Sequence, residues 1–245
     1  MNKSLKIVLM GYGKMGKAIE NIALSRGHKM VQVFSSKSPA TSPDAIPAAD
    51  IIIEFTRPET AYKNLELSIK SGTPVITGTT GWLERLNEIE ILCAERDGTF
   101  LYSSNFSIGM NVFFEINQLL ARLMNKTGDY RASMEERHHI QKKDKPSGTA
   151  VTLAQQIINE SSRISNWTLE QGQTNTELPI KVVREGDIKG FHSIEYRSDI
   201  DRIRIEHEAF SREGFAMGAV MVAEWIVNKK GVFRMEDYVR EVLLH

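Results

Sequence analysis

The stretch Leu5-Lys6-Ile7-Val8-Leu9-Met10-Gly11-Tyr12-Gly13-Lys14-Met15-Gly16 decides the fold. Its first half is an apolar run that reads as a buried strand. A G-x-G-x-x-G turn follows, and then Met15, Ile19, Ile22 and Ala23 recur on one helix face. Strand, glycine turn and helix in that order give the motif its meaning. Gly11 permits the tight turn, Gly13 lets a pyrophosphate approach the backbone, and Gly16 lets the helix pack closely on the strand. The phosphate rests on free N–H groups at the positive end of the helix. Gly11, Tyr12, Gly13, Lys14, Met15 and Gly16 are therefore candidate cofactor contacts.

Moving outward, Met30 to Phe34 reads as a second strand, followed by Ser35-Ser36-Lys37. A carboxylate at this place would bind adenosine ribose hydroxyls and favour NAD. Two hydroxyls and an ammonium suit a 2′-phosphate better, so Ser35, Ser36 and Lys37 predict NADPH to be at least as good a cofactor as NADH. Further strands are expected at 50–55, 74–77 and 99–102, with helices opening near Thr56 and Leu83. This alternation predicts an α/β, Rossmann-type doubly wound parallel sheet with ligands at the carboxyl ends of its strands. Phe55, Thr56, Gly78, Thr79, Thr80, Ser104, Asn105 and Phe106 lie at three such ends and are expected to line the nicotinamide side of one crevice.

After Asn105 the rhythm changes. Val112, Phe113, Ile116, Leu119, Leu120 and Leu123 mark a helix, and alternating stretches appear at 130–136, 178–184, 191–197 and 202–209. Such strands predict a second α+β domain with an open mixed, mostly antiparallel sheet. The expected division is 1–105, completed by C-terminal helices in 213–245, for dinucleotide binding, and 106–212 for substrate binding and oligomerisation. Pairing with other subunits is one way to manage an open sheet, so a homo-oligomer is expected. Residues 161–177 read as a polar surface loop. His207 shares the apolar face of its strand and reads as structural, whereas His192 is open to either role.

Between these strands lies Glu135-Glu136-Arg137-His138-His139-Ile140-Gln141-Lys142-Lys143-Asp144-Lys145-Pro146-Ser147-Gly148-Thr149-Ala150. An apolar helical stripe of Ala150, Leu153, Ala154, Ile157 and Ile158 follows at once. Cations and proton donors ahead of a helix N-terminus suit an anion and a proton transfer. Ser147, Gly148 and Thr149 present hydroxyls and N–H groups for a carboxylate. Neighbouring residues on an extended chain face opposite ways, so one histidine of the pair is expected to reach the reacting atom, together with Lys142. Lys143 and Lys145 read as solvated charge. Zinc would need further ligands at suitable spacing, and no cysteine is near, so no metal is expected.

Composition limits the alternatives. Thirty-one basic and 31 acidic residues give a formal net charge of zero among 245 residues, which gives no footprint for nucleic acid or an anionic membrane. No apolar run reaches bilayer length, and the N-terminus carries no signal-peptide pattern. The single cysteine, Cys93, reads as a small core hydrophobe and fits a cytoplasmic setting.

The chain resembles the 4-hydroxy-tetrahydrodipicolinate (dihydrodipicolinate) reductase family of the bacterial diaminopimelate and lysine pathway. The resemblance runs through the glycine turn, Glu54-Phe55-Thr56, Gly78-Thr79-Thr80 and Ser104–Gly109. It is most specific in His138-His139-x-x-Lys142 and Pro146-Ser147-Gly148-Thr149, and continues in Arg184-Glu185-Gly186, Gly190-Phe191-His192, Ser211-Arg212 and Phe215–Ala219. It implies NAD(P)H-dependent reduction of (4-hydroxy-)dihydrodipicolinate, a cyclic dicarboxylate, to tetrahydrodipicolinate. It further implies His138 and Lys142 as acid/base and proton-donor residues. His139, Lys142, Ser147, Gly148 and Thr149 become the implied substrate contacts, and the assembly a homotetramer. The glycine turn is one residue shorter than in many members, with Lys14 where arginine is frequent. Alternatives are another two-domain NAD(P) imine or amino-acid dehydrogenase, or a non-catalytic NAD(P)-sensing regulator.

Overall fold

The computed structural model describes residues 4–169, 176–211 and 213–244. It comprises β1 (Lys6–Met10), α1 (Lys14–Ser25), β2 (Lys29–Phe34), β3 (Ile51–Glu54), α2 (Pro58–Lys70), β4 (Val75–Thr77), α3 (Leu86–Glu95) and β5 (Thr99–Tyr102). Next come α4 (Ile108–Met124), β6 (Arg131–His138), α5 (Gly148–Glu160), β7 (Asn166–Thr168), β8 (Glu177–Arg184), β9 (Phe191–Arg197) and β10 (Arg202–Glu208). The chain ends with α6 (Glu213–Ile226), β11 (Gly231–Phe233) and α7 (Met235–Tyr238). Two compact units result, 1–111 with 213–245, and 112–212, so the division falls within α4.

The first unit is built on a six-stranded sheet of order β11-β5-β4-β3-β1-β2, with every pairing parallel. Strand β1 alternates between two cores. Leu5, Ile7 and Leu9 pack with α1 and α6, whereas Val8 and Met10 pack with residues of α2 and α3. A strand buried on both faces needs apolar residues at every position, which is why 5–10 reads as an unbroken run. The strand order reverses at β1, between β2 and β3, the switch point where ligands gather in this fold. Strand β11 extends the sheet beyond β5; three residues opened by a glycine carry no period that sequence reading could detect.

In the second unit the sheet order is β10-β9-β6-β8-β7. Strands β10, β9 and β6 pair antiparallel, while β6, β8 and β7 pair parallel. The sheet is therefore evenly mixed rather than mostly antiparallel, because side-chain alternation reports which face a residue occupies and not strand direction. Strand β7 lies inside the segment expected to be a loop over 161–177; residues 170–175 of that segment, like Arg212, lie outside the described residues.

Helix α4 forms where its apolar residues mark it, but most of those residues face outward. Phe113, Asn117, Ala121 and Met124 are buried, while Val112, Ile116, Leu119 and Leu123 are exposed. The buried Asn117 fixes this rotation by donating to the Leu153 carbonyl of α5 at 3.1 Å and to Gln156 at 2.9 Å. A buried amide must keep its partners, and its position sets which apolar face remains outside.

Candidate active site

Helix α1 starts at Gly13, with no side-chain cap and no acidic residue in its first turn. Its first N–H groups and the positive helix end are thus open to an anion. The three glycines differ physically. A Cβ on Gly11, at φ +100°, would lie 2.0 Å from the Phe55 carbonyl oxygen, and one on Gly16 would lie 2.1 Å from the Gly11 oxygen. A Cβ on Gly13 would meet no protein atom within 4 Å. Gly11 and Gly16 are therefore required by the fold, whereas Gly13 leaves space beside free N–H groups, which fits a dinucleotide pyrophosphate. Lys14 is exposed, Met15 packs on the core, and the Tyr12 hydroxyl donates to Glu20 at 2.6 Å.

The ends of β3 and β4 are tied by the fully buried Glu54, whose carboxylate accepts from the Thr56 and Thr77 hydroxyls. Thr79 is committed to this framework too: its hydroxyl accepts the Thr56 N–H at 2.8 Å. Phe55 packs so tightly on Gly78 that a Cβ there would lie 2.1 Å from its ring. Phe106, 1% exposed, packs its ring 5.6 Å from that of Phe55, so it supports the wall from within. Thr80 and Ser104 are exposed. Asn105 shapes its own turn by accepting the Ser107 N–H at 2.9 Å. After β2, Ser35 and Ser38 exchange backbone hydrogen bonds at 3.1 Å, leaving Ser36 and Lys37 exposed at the turn. Among the described residues Lys37 has no ion-pair partner.

In the second unit, strand alternation places Ala132, Met134, Glu136 and His138 of β6 on the inner face. Glu136 and His138 therefore enter a core position two residues apart. Register sets Arg184 of β8 beside His138, and His192 of β9 beside Glu136. The Glu136 carboxylate accepts from Arg184 at 2.6 Å and from the Ser147 N–H at 3.1 and 3.2 Å. Its second oxygen lies 3.7 Å from His138 Nδ1 and 3.8 Å from His192 Nε2. The two imidazoles stand edge to face, with centroids 5.2 Å apart. Arg184 also donates to the Asp144 carbonyl at 2.6 Å, and the Asp144 side chain meets Lys142 Nζ at 2.9 Å. One network thus runs from Lys142 to the start of α5.

The electrostatics follow from burial and this pairing. Burial raises the Glu136 pKa, but hydrogen bonds from Ser147 and Arg184 outweigh it and hold the carboxyl below its usual range. Burial pushes His138 down to about 4, with Glu136 opposing and Lys142 and Arg184 reinforcing. Burial, reinforced by His138, pushes His192 to about 3. Burial thus favours the neutral form of both rings. Asp144 is held low by Lys142 against the opposing effect of burial.

Within the expected carboxylate cradle Ser147 is buried: its N–H goes to Glu136, its hydroxyl accepts the Ala150 N–H at 3.1 Å and lies 3.4 Å from His192 Nε2, and its carbonyl accepts from Val151. It is the N-cap of α5. The N–H groups of Gly148 and Thr149 are the ones left without a partner among the described residues. His139 is half-buried beside His138, and Lys142 donates its N–H to the His139 carbonyl at 3.1 Å. Sequence reasoning missed Glu136 and Arg184 and left His192 open. An acid at an inward alternate position of a strand was the available signal for Glu136.

Glu136, His138 and His192 also offer three ligand atoms within 4.8 Å of one another. Arg184 already supplies a cation to that carboxylate, and a metal ion would face it at close range. The cluster is an internal ion pair flanked by two neutral rings. Elsewhere, Cys93 is fully buried, and burial pushes its thiol up. The His207 ring lies 6.1 Å from that of Phe113.

A glycine-turn, Rossmann-like nucleotide-binding sheet is joined in one chain to a mixed-sheet unit with a buried acid–imidazole–guanidinium network, an arrangement that accommodates a two-domain oxidoreductase. Profiles described as dihydrodipicolinate reductase, N-terminus, and dihydrodipicolinate reductase, C-terminus, match residues 5–106 and 109–239. The chain belongs to the dihydrodipicolinate reductase family. It is 44% identical over 239 residues to the 4-hydroxy-tetrahydrodipicolinate reductase of Christiangramia forsetii, covering 97% of this chain and 99% of that one. It is 33% identical to the enzyme of the same name from Archaeoglobus fulgidus, covering 92% and 96%. A similar fold is seen in the dipicolinate-bound dihydrodipicolinate reductase from Paenisporosarcina sp. TG-14, with TM-score 0.76, 20% identity and coverage of 95% and 98%.

Proposed function

We propose that the chain catalyses NAD(P)H-dependent reduction of (4-hydroxy-)dihydrodipicolinate to tetrahydrodipicolinate in the diaminopimelate and lysine pathway. The observation that carries this reading is the start of α5. There the Gly148 and Thr149 N–H groups stand free, beside a network that ends at Lys142. Free N–H groups at a positive helix end bind a carboxylate, and an ammonium carries the proton that must accompany a hydride. The nicotinamide, when bound, supplies that hydride.

The unit 1–111 with 213–245 is assigned to the dinucleotide, and the unit 112–212 to the substrate and to oligomerisation. Gly11, Tyr12, Gly13, Lys14, Met15 and Gly16 hold the pyrophosphate turn. Phe55, Thr56, Gly78, Thr79, Thr80, Ser104, Asn105 and Phe106 form and support the nicotinamide wall. Gly148 and Thr149 bind a substrate carboxylate with His139, while Ser147 shapes that site from within. Lys142 delivers the proton. His138 is neutral and buried, and it orients the substrate and accepts or relays a proton rather than starting as an imidazolium.

Ser35, Ser36 and Lys37 form an exposed turn with a free ammonium and no carboxylate at the end of β2, which supports NADPH as a cofactor at least as good as NADH. A homotetramer of cytoplasmic setting completes the reading. The assembly is supported by the open outer face of the second sheet, where Arg197 and Arg202 share Glu195 and Arg137 meets Glu135, a charged surface that a second copy can meet. The exposed apolar stripe of α4 adds surface that association would cover.

The test is a coupled assay. Supplied with the product of dihydrodipicolinate synthase, the protein should consume NADPH, and the ratio of kcat/KM values for NADPH and NADH reads the role of the Ser35–Lys37 turn. Absence of turnover with both cofactors contradicts the activity, and a strong NADH preference contradicts the cofactor assignment. Sedimentation as a monomer would contradict the assembly.

A further inference from the structure

A completely buried carboxylate needs a reason to be there. Glu136 is 0% exposed and lies on the inner face of β6, two residues before His138. Placing a charge there costs desolvation that only good geometry offsets. Its partners are unusually directional. One is the Ser147 N–H, which opens α5, and the other is the Arg184 guanidinium on β8. That guanidinium makes a second bond, to the Asp144 carbonyl, in the loop that Lys142 shares through its 2.9 Å pair with the Asp144 side chain. Among the described residues no other side chain forms a hydrogen bond with both the helix start and the guanidinium that anchors the lysine loop.

We infer that Glu136 is a positioning residue for the reaction. Its carboxylate joins the N-terminus of α5 to the Arg184-anchored loop, and so sets the spacing between the Gly148–Thr149 anion cradle and the Lys142 ammonium. This rests on the reading of the site given above and deepens it, because a carboxylate cradle and a proton donor are useful only at a fixed separation. An error of about 1 Å in such a separation costs on the order of 100-fold in rate.

Two variants test different parts of the link. Glu136→Gln keeps an acceptor for the Ser147 N–H but leaves Arg184 without its counter-charge. Glu136→Asp keeps the charge but is too short to reach both partners at the same geometry. In each, kcat/KM for the dicarboxylate is expected to fall roughly 10- to 100-fold. The dissociation constant for NADPH, read by nicotinamide fluorescence, should stay at the wild-type value, since its contacts lie in the other unit. A carboxylate that served stability alone would lower Tm and leave the KM of the folded enzyme where it was.

The double variant Glu136→Gln/Arg184→Gln removes the unpaired buried charge and remains informative if Glu136→Gln does not fold. It should recover Tm without recovering kcat/KM. Wild-type kcat/KM in Glu136→Gln, or full recovery of activity in the double variant, would overturn the inference. If the wild-type enzyme itself shows no turnover, the functional reading fails separately. Calorimetric titration with dipicolinate then reads the cradle alone, and binding equal in wild type and Glu136→Asp would overturn the positioning role.

Discussion

The buried carboxylate of Glu136 on β6 and the part-buried guanidinium of Arg184 on β8 meet at 2.6 Å, although 48 residues separate them in the chain. The Arg184 Nε has no hydrogen-bond partner among the described residues, so the pair depends on the terminal nitrogens. Removing one member of a buried ion pair strands the other and costs about 3–5 kcal/mol. Arg184→Met is therefore expected to lower Tm by on the order of 10 °C. A fall of less than about 2 °C in a thermal melt would contradict a dry, paired carboxylate.

The histidine pair makes stability depend on pH. The folded protein holds His138 at about 4 and His192 at about 3, below the ordinary 6.5. Between those values and 6.5 the unfolded chain binds protons that the folded chain refuses, so stability rises with pH across that window. It is full above 6.5 and is lost as the pH falls towards the folded values. Tm should decline between about pH 6.5 and pH 4, and His192→Asn should flatten the decline. Equal slopes for the two proteins would show that His192 is not held neutral by the fold.

Lys142 is the group assigned to proton delivery. Lys142→Ala should lower kcat by roughly 10²–10⁴-fold while leaving NADPH binding intact. If the substrate KM rises and kcat does not change, Lys142 binds a carboxylate and the proton comes from elsewhere.

The glycine turn offers a contrast within three residues. Gly13→Ala places its Cβ where no protein atom lies, so Tm should match wild type while the NADPH dissociation constant rises at least about tenfold. Gly11→Ala would put a Cβ 2.0 Å from the Phe55 oxygen at φ +100° and should destabilise the unit whether or not cofactor is present. Equal loss of Tm in both variants would mean that Gly13 is a folding residue as well.

How much of this was legible in the sequence depends on the range of the interaction. The β1–α1 turn was readable because strand, glycines and helix stripe are adjacent, whereas the contact of Gly11 with Phe55 at the end of β3 needed the β1–β3 pairing. Ser147 was placed at the α5 start, but its bonds to Glu136 and Ala150 were not visible. A serine before a helix looks the same whether it caps the helix or binds a ligand. Arg184 could not be matched to Glu136 without the β6–β8 register, and alternation gives a face without giving a partner or a direction. Helix α4 was readable but its buried face was not, because Asn117 looks polar and therefore outward until the Leu153 carbonyl supplies a reason to bury it. Strand β11, at three residues, is held by the β5 edge rather than by its own pattern.

The fate of the hydride separates reduction from simple cofactor binding. NADPH carrying deuterium at the transferred position, mixed with the protein and fresh dihydrodipicolinate synthase product, should yield tetrahydrodipicolinate with one deuterium for each cofactor oxidised, as read by mass spectrometry. Tetrahydrodipicolinate without deuterium, or cofactor bound and left reduced, would contradict that reduction.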